Sequence, residues 1–301
     1  VDVLVLRALG LGDTLAAVPA LRALRRAVEG RLVLAGPAAP GELLRAAGVV
    51  DEVVAAVGLD ATVPRGATWA VNLHGRGPQS HRLLLAAQPR HLVGFAVPDL
   101  GLTGPTWRAD EPERARWCRL VTTTWPGTPA DPDDVRLAPP PGAPGTRAVV
   151  VHPGAASAAR RWPVERWAQV VRALRAAGHD VVVTGTSAER GIAASLATAA
   201  GLPAGAVRAG DTALPDLVRL VADAAAVLSG DTGVAHLAFA YGTPSVTLYG
   251  PTPPRWWGPP PGPHAALWHG DGPGDPHADV PDAALLRVEP AEVLVALADV
   301  A

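Results

Sequence analysis

Asp231, Thr232 and Gly233 stand between an apolar run, Ala225-Ala226-Val227-Leu228, and a helical pattern over 234–241. The run reads as a buried strand, so the three residues form a strand-to-helix corner. Unpaired amides and the positive end of the helix dipole make such a corner attractive to anions. Gly230 and Gly233 allow a bulky ligand to approach the backbone, and His236 follows one helical turn on. The same residues also read as a plain helix cap, with Asp231 or Thr232 as the capping side chain. A second group is His152-Pro153-Gly154-Ala155-Ala156 followed by Arg160-Arg161-Trp162-Pro163. A glycine-containing loop after an apolar strand, with two arginines, suits a diphosphate. The third is Leu9-Gly10-Leu11-Gly12-Asp13-Thr14-Leu15. As a dinucleotide fingerprint it lacks a third glycine where Leu15 stands, and no acidic residue ends the second strand. Asp13 fits two roles, a base for a hydroxyl group or the N-cap of the following helix. His74-Gly75-Arg76 follows another predicted strand and faces the same strand ends, with His74 a further candidate base.

The elements that must carry these groups alternate. Strands are expected over 3–6, 31–35, 53–57, 69–73, 148–152, 180–184, 225–228 and 243–249. Helices are expected over 13–28, 41–47, 79–87, 111–124, 163–177, 214–222, 234–241 and 291–300, from apolar residues at three- and four-residue spacing. Thr186-Ser187-Ala188-Glu189 has the form of a capping box, which competes with a role for Glu189 on a ribose. Repeated β-α-β units argue for an α/β fold with parallel sheets covered on both faces. The stretch Ala138-Pro139-Pro140-Pro141-Gly142-Ala143-Pro144-Gly145 can hold neither helix nor central strand and reads as a linker. Two domains follow, residues 1–140 and 148–301, with the last helix a candidate to pack back on the first domain. Two such domains in tandem place a ligand in the cleft between them.

The chain has 301 residues, 49% of them apolar, enough for two cores. A net charge of −2 without a basic block gives no sign of nucleic acid or of an anionic membrane surface. A single cysteine, Cys118, excludes an intrachain disulfide. No signal peptide or membrane span is visible, and a cytoplasmic location is expected. Asp131-Pro132-Asp133 has the form of a metal-binding Asp-x-Asp but lies before the linker, not at a strand end. His264, His269, Asp271, Asp275, His277 and Asp279 lie in a Gly/Pro-rich stretch expected to be a solvated loop. No metal and no cofactor are expected. All 26 basic residues are arginine, so composition alone explains an arginine where a related chain has lysine.

In order and spacing the three groups, together with Gly242-Thr243-Pro244 and Leu248-Tyr249-Gly250-Pro251-Thr252-Pro253, resemble the ADP-heptose:lipopolysaccharide heptosyltransferases, glycosyltransferase family 9. The resemblance covers nearly the whole chain and is strongest over 7–25, 152–167 and 229–259. It implies the GT-B architecture of two Rossmann-like domains, the second binding a nucleotide sugar and the first an acceptor. It implies Asp13 as general base, with Gly12, His74 and Arg76 on the acceptor side. It implies donor contacts from His152, Gly154, Ala155, Arg160, Glu189, Asp231, Thr232, Gly233 and His236. Heptosyltransferases usually have lysine where Arg160 stands; arginine is longer, planar and bidentate. The implied activity is inverting, metal-independent transfer of a heptose or related sugar, with ADP-heptose the expected donor. The acceptor is a glycan, a lipid-linked sugar or a small molecule, and peripheral membrane contact is compatible with this. Inversion needs one carboxylate as base, and oriented amides with Arg160 can stabilise the departing diphosphate. A catalytically silent nucleotide-sugar-binding protein of the same fold is the alternative, and an NAD(P)-dependent oxidoreductase a more distant one.

Overall fold

Short runs of β-branched and leucine residues, apolar at every position, form strands buried on both faces. Val3–Leu6 and Val149–His152 are buried throughout. The computed structural model describes residues 2–140 and 147–301. The chain divides into two units, Val1–Val135 and Arg136–Ala301. Residues 141–145 of the expected linker lie outside the described residues.

The first unit runs β1 (Val3–Leu6), α1 (Leu11–Ala16), α2 (Val18–Ala27), β2 (Leu32–Gly36), α3 (Ala38–Ala46), β3 (Glu52–Ala55), β4 (Trp69–Asn72), α4 (Gln79–Ala86), β5 (His91–Val93) and α5 (Glu113–Thr124). Its parallel sheet has the order β3-β2-β1-β4-β5. The order reverses between β1 and β4, where Leu6 is level with Asn72. Loops leaving these two strand ends diverge, and a crevice at such a point is where α/β sheets bind ligands.

The single helix expected over 13–28 is two helices. The first starts at Leu11 after Gly10, and Ala17 separates it from the second. Pro19, in the first turn of α2, has no N–H to carry the ladder back across the break. Asp13 is therefore the third helical residue of α1 and not its N-cap, and Val28 is extended and outside α2.

The second unit runs β6 (Val149–His152), α6 (Val164–Ala176), β7 (Val181–Val183), α7 (Arg190–Ala200), α8 (Leu214–Asp223), β8 (Ala226–Gly230), α9 (Gly233–Tyr241), β9 (Ser245–Leu248), α10 (Pro254–Trp257), β10 (His264–Leu267), α11 (Ala283–Leu286) and α12 (Pro290–Val300). Its sheet is also parallel, in the order β10-β9-β8-β6-β7. His152, Ser229 and Thr247 are level with one another across β6, β8 and β9. Val149, Val151, Leu228, Val246 and Leu248 pack with Trp162, Trp167, Leu174, Leu196 and Val293 in one core. Trp162 donates its indole N–H to Val288 O at 3.2 Å and meets Trp167 edge-on at 4.9 Å. The last helix packs on α6, β9 and β10 of its own unit.

Two strands lie where none was expected. β5 has only three residues, with His91 stacked on Trp69 at 4.4 Å. β10 starts at His264, which was expected in a solvated loop; its Nδ1 is 2.9 Å from Ser245 Oγ. Burial, with Arg136 adding to it, pushes the His264 imidazole down to about 4.

Candidate active site

In the first unit the residue after β1 is Arg7, which is wholly buried. An arginine is tolerated there only if its fork is satisfied and its charge paired. Nε donates to Asp13 O at 3.0 Å and Nη1 to Leu73 O at 2.6 Å. Nη2 donates to Glu113 Oε1 at 2.9 Å and to Asp13 Oδ1 at 3.3 Å. The guanidinium lies 5.0 Å from the centroid of the Trp117 ring. Glu113 is fixed in turn: Oε1 also accepts the Trp117 indole N–H at 2.7 Å, and Oε2 accepts from Arg116. Arg116 donates to the carbonyls of Arg108, Ala109 and Glu111. Glu111 takes both arms of Arg119, at 2.6 and 2.7 Å, and that hydrogen bonding holds its carboxyl below the usual range against the opposing effect of burial.

The Asp13 side chain is 33% exposed where it meets Arg7. No side chain caps α1, whose N-cap is Gly10. Asp13 therefore does not fill the capping role that sequence left open. Gly12 is the residue before it in the same turn.

His74 is held on the neighbouring strand end. Its backbone N–H donates to Asn72 Oδ1 at 3.0 Å, and Asn72 Nδ2 donates to Ser80 Oγ at 2.9 Å. The His74 ring accepts the Ala8 N–H through Nδ1 at 3.2 Å. Burial and then the Arg7 charge lower its proton affinity. A neutral ring with Nδ1 accepting carries its proton on Nε2. In this arrangement His74 has its Nε2–H free of the Ala8 contact and able to donate a hydrogen bond. Arg76 is exposed.

In the second unit His152 ends β6, buried, with Nδ1 3.1 Å from Thr184 Oγ1 and Nε2 3.8 Å from Glu189 Oε2. Burial lowers its proton affinity and Glu189 opposes that. Glu189 completes the capping box, accepting from Thr186 N–H at 2.7 Å and Thr186 Oγ1 at 2.9 Å, both on Oε2. Gly154 lies against this carboxylate so closely that a Cβ there would run into it. The loop between His152 and Arg160 is pinned by Arg161, whose Nε donates to Ala155 O at 2.9 Å, and the Ala155 side chain is buried.

Arg160 reaches the Asp-Thr-Gly corner and donates through Nη1 to Asp231 O at 3.3 Å; its Nε is buried without a partner among the described residues. Asp231 is buried and donates its backbone N–H to Leu248 O at 3.1 Å. Thr232 occupies the N-cap position of α9 in extended conformation, yet its side chain makes no capping bond. Its Oγ1 is buried and unpartnered among the described residues. The helix that begins at Gly233 therefore opens with amides that the N-cap side chain leaves uncovered, which is how an anion site is built. His236, one turn in, is buried and meets Phe239 edge-on at 5.4 Å and Trp257 at 5.9 Å.

Pro276, Ala278 and Asp282, in and just after the largely exposed stretch 271–280, brace this region. Ser157 Oγ donates to Pro276 O at 2.5 Å, Ala159 N–H to Ala278 O at 3.1 Å, and Asp282 N–H to Ala159 O at 3.1 Å. The turn carrying Arg160 is thereby held from both sides.

Residues 125–271 match glycosyltransferase family 9 (heptosyltransferase). Over that segment the chain is similar to glycosyltransferase family 9. Lipooligosaccharide heptosyltransferase 2 of Haemophilus influenzae is 33% identical to this chain over 103 residues, 33% of the chain and 29% of that relative. The match thus spans less than a third of the relative's length. The fold is that of solved heptosyltransferases. The structure of E. coli ADP-heptose lps heptosyltransferase II aligns with a TM-score of 0.79 at 21% identity, covering 100% of this chain and 98% of that one. An E. coli heptosyltransferase solved with ADP aligns with a TM-score of 0.74 at 19% identity, covering 100% of both.

Sequence reasoning missed Arg7, Glu113 and Thr184 as partners of the candidate site residues. Arg7 left a readable signal, a charge placed directly after a fully apolar strand. Glu113 left none, lying 106 residues from its partner. Asp131 and Asp133 are taken up locally: Asp133 N–H donates to Asp131 Oδ1 at 2.9 Å, and Arg114 pairs with Asp133 at 3.1 Å. No helix among the described residues is long and apolar enough to cross a membrane.

Proposed function

We propose that this chain transfers a heptose, or a closely related sugar, from ADP-heptose to a hydroxyl group of a glycan, lipid-linked or small-molecule acceptor. In this reading the donor lies on the second unit and the acceptor is activated on the first. Asp13 takes the proton of the acceptor hydroxyl as its oxygen attacks the anomeric carbon from the face opposite the diphosphate. The bond from that carbon to the diphosphate oxygen breaks, so configuration inverts and the nucleoside diphosphate leaves. The amides at the start of α9 and the Arg160 guanidinium take up the charge of the leaving group, a task that oriented dipoles in a fixed site do without reorganising. The reading needs neither a metal nor a resident cofactor, and it places the reaction in the cytoplasm. Glu189, with one oxygen committed to the capping box, offers the other to a ribose hydroxyl beside Gly154, and His74 offers its Nε2–H to the acceptor.

The observation that carries this reading is the pair of buried polar atoms without protein partners among the described residues, Thr232 Oγ1 and Arg160 Nε, beside the start of α9, whose N-cap side chain makes no capping bond. Both are donors suited to phosphate oxygens. The test is thermal unfolding with nucleoside diphosphates. A hundredfold excess of ADP over its Kd stabilises by about 2.7 kcal/mol, and a rise in Tm with ADP but not with UDP is expected. No rise with any nucleoside diphosphate would sink the donor site. ADP release from ADP-heptose in the presence of heptose-free lipopolysaccharide then tests the transfer itself.

A further inference from the structure

The bonds that Arg7 donates end on three separate pieces of chain. Two reach the first turn of α1 at Asp13, one reaches the carbonyl of Leu73 just before His74, and one reaches Glu113 at the start of α5. We propose that Arg7, held by Glu113, is the positioning residue of the acceptor side, fixing the Asp13 carboxylate and the His74 ring relative to one another. The proposal rests on Asp13 being the base.

The topology creates the need for such a tie. β1 and β4 are neighbours whose following loops diverge at the point where strand order reverses. The two groups that would handle an acceptor hydroxyl sit on those two loops, one able to accept its proton and one able to donate to its oxygen. The guanidinium supplies a rigid link, because its N–H bonds leave in one plane at fixed angles. With Asp13 O, Asp13 Oδ1 and Leu73 O all bound to one planar group, the α1 turn and the β4 loop cannot move independently. The Ala8 N–H on the His74 ring, one residue after Arg7, adds a second tie between the same loops.

Glu113 explains how an arginine can do this without disabling the carboxylate beside it. An arginine whose only counter-ion was Asp13 would draw that carboxylate into a full ion pair and leave it a poor base. Here Glu113 takes the shorter bond, 2.9 Å against 3.3 Å, and is itself buried, whereas Asp13 is a third exposed. Trp117 and Arg116 fix Glu113 from its other sides. The buried charge is thus neutralised from behind, and Asp13 is oriented by the weaker arm.

Lysine at position 7 keeps the charge but not the fork. The test measures kcat and KM for Arg7→Lys with ADP-heptose and heptose-free lipopolysaccharide, alongside Tm and the Kd for ADP. ADP affinity is expected within about twofold of wild type, with kcat about 10- to 100-fold lower, the scale of a misplacement near 1 Å. In an Asp13→Asn background the same change is expected to cost less than about threefold, because residues that act through one another are not additive. Glu113→Gln, which keeps the shape and removes the charge, gives the same pattern with a smaller loss and serves where Arg7→Lys does not fold. Wild-type kcat in Arg7→Lys would overturn the proposal, since charge alone would then suffice. A loss that adds fully to that of Asp13→Asn would also overturn it, since Arg7 would then act elsewhere. Wild-type turnover in Asp13→Asn alone would remove the base, and this proposal with it, and is read from that single variant.

Discussion

Replacing Asp13 by asparagine separates chemistry from architecture. Asparagine retains an oxygen at the Oδ1 position, so the 3.3 Å bond from Arg7 keeps an acceptor. What is lost is a charge on a side chain 33% exposed, beside an arginine that keeps its buried partner Glu113 at 2.9 Å. An ion pair of this exposure contributes about 0–1 kcal/mol. The carboxylate in the first turn of α1 adds a helix-dipole contribution of about 0.3–1 kcal/mol. Together these predict a loss of about 0.3–2 kcal/mol and a fall in Tm of less than about 8 °C, because about 1 kcal/mol moves Tm by roughly 2–4 °C in domains near this size. Removing Glu113 is a different matter: Glu113→Ala leaves Arg7 buried without its main counter-ion, at a cost of about 3–5 kcal/mol. Turnover behaves in the opposite way. Loss of a positioned general base lowers the rate by roughly 10²- to 10⁴-fold. ADP release followed by a coupled assay reads the rate, scanning fluorimetry the stability, and calorimetry the ADP affinity, which should hold constant because the donor is assigned to the other unit. Asp13→Asn with near wild-type turnover would refute the reasoning, and His74, whose Nδ1 is already occupied, does not offer an alternative base.

Three further outcomes are expected. Arg160→Ala raises KM for the donor by about 10-fold or more, the value of a charge-assisted bond of about 1.5–3 kcal/mol, while Arg160→Lys recovers part of it; an unchanged KM in Arg160→Ala would remove that residue from the diphosphate. EDTA leaves turnover intact, since α9 and Arg160 are assigned the leaving group; activity lost with chelator and restored by magnesium or manganese would overturn the assignment. His74, His81, His152 and His264 all have proton affinities lowered by burial. Their neutral forms therefore contribute stability that is present above the unfolded histidine value near 6.5 and is lost as pH falls through that value, reaching to about 4 for His264. Tm should fall between pH 7 and pH 5, before the buried carboxylates titrate, and a flat or rising Tm across that interval would contradict the burial of these rings.

Much of the fold was legible because it is local. Val3–Leu6, and residues 149–151 and 226–228, are apolar runs that only a strand covered on both faces can bury. The Thr186–Glu189 capping box and the glycine-bearing corner at Asp231 are written within a few residues of chain. β5 and β10 were not legible: they have three and four residues, sit at sheet edges and begin with histidine, so their strand character comes from the neighbour they pair with. The break at Ala17 was missed because apolar spacing runs through it unchanged, while Pro19 interrupts only the hydrogen bonds.

The sequence by itself determined the α/β class, the placing of Asp13 after the first strand and the strand-to-helix corner at Thr232-Gly233. These follow from residue type and spacing within one loop. Only the tertiary structure decided what those residues are able to do. Asp13 lies in the first turn of α1 and not at its cap because the helix begins two residues earlier. His74 carries its proton on Nε2 because the Ala8 N–H occupies Nδ1. Glu189 keeps one oxygen in its capping box while the missing side chain at Gly154 gives room beside the carboxylate. Arg7 can be buried next to Asp13 because Glu113, 106 residues away, neutralises it. Charge balance in a desolvated site is set by whatever the fold brings within about 3 Å, and no pattern along the chain encodes that distance.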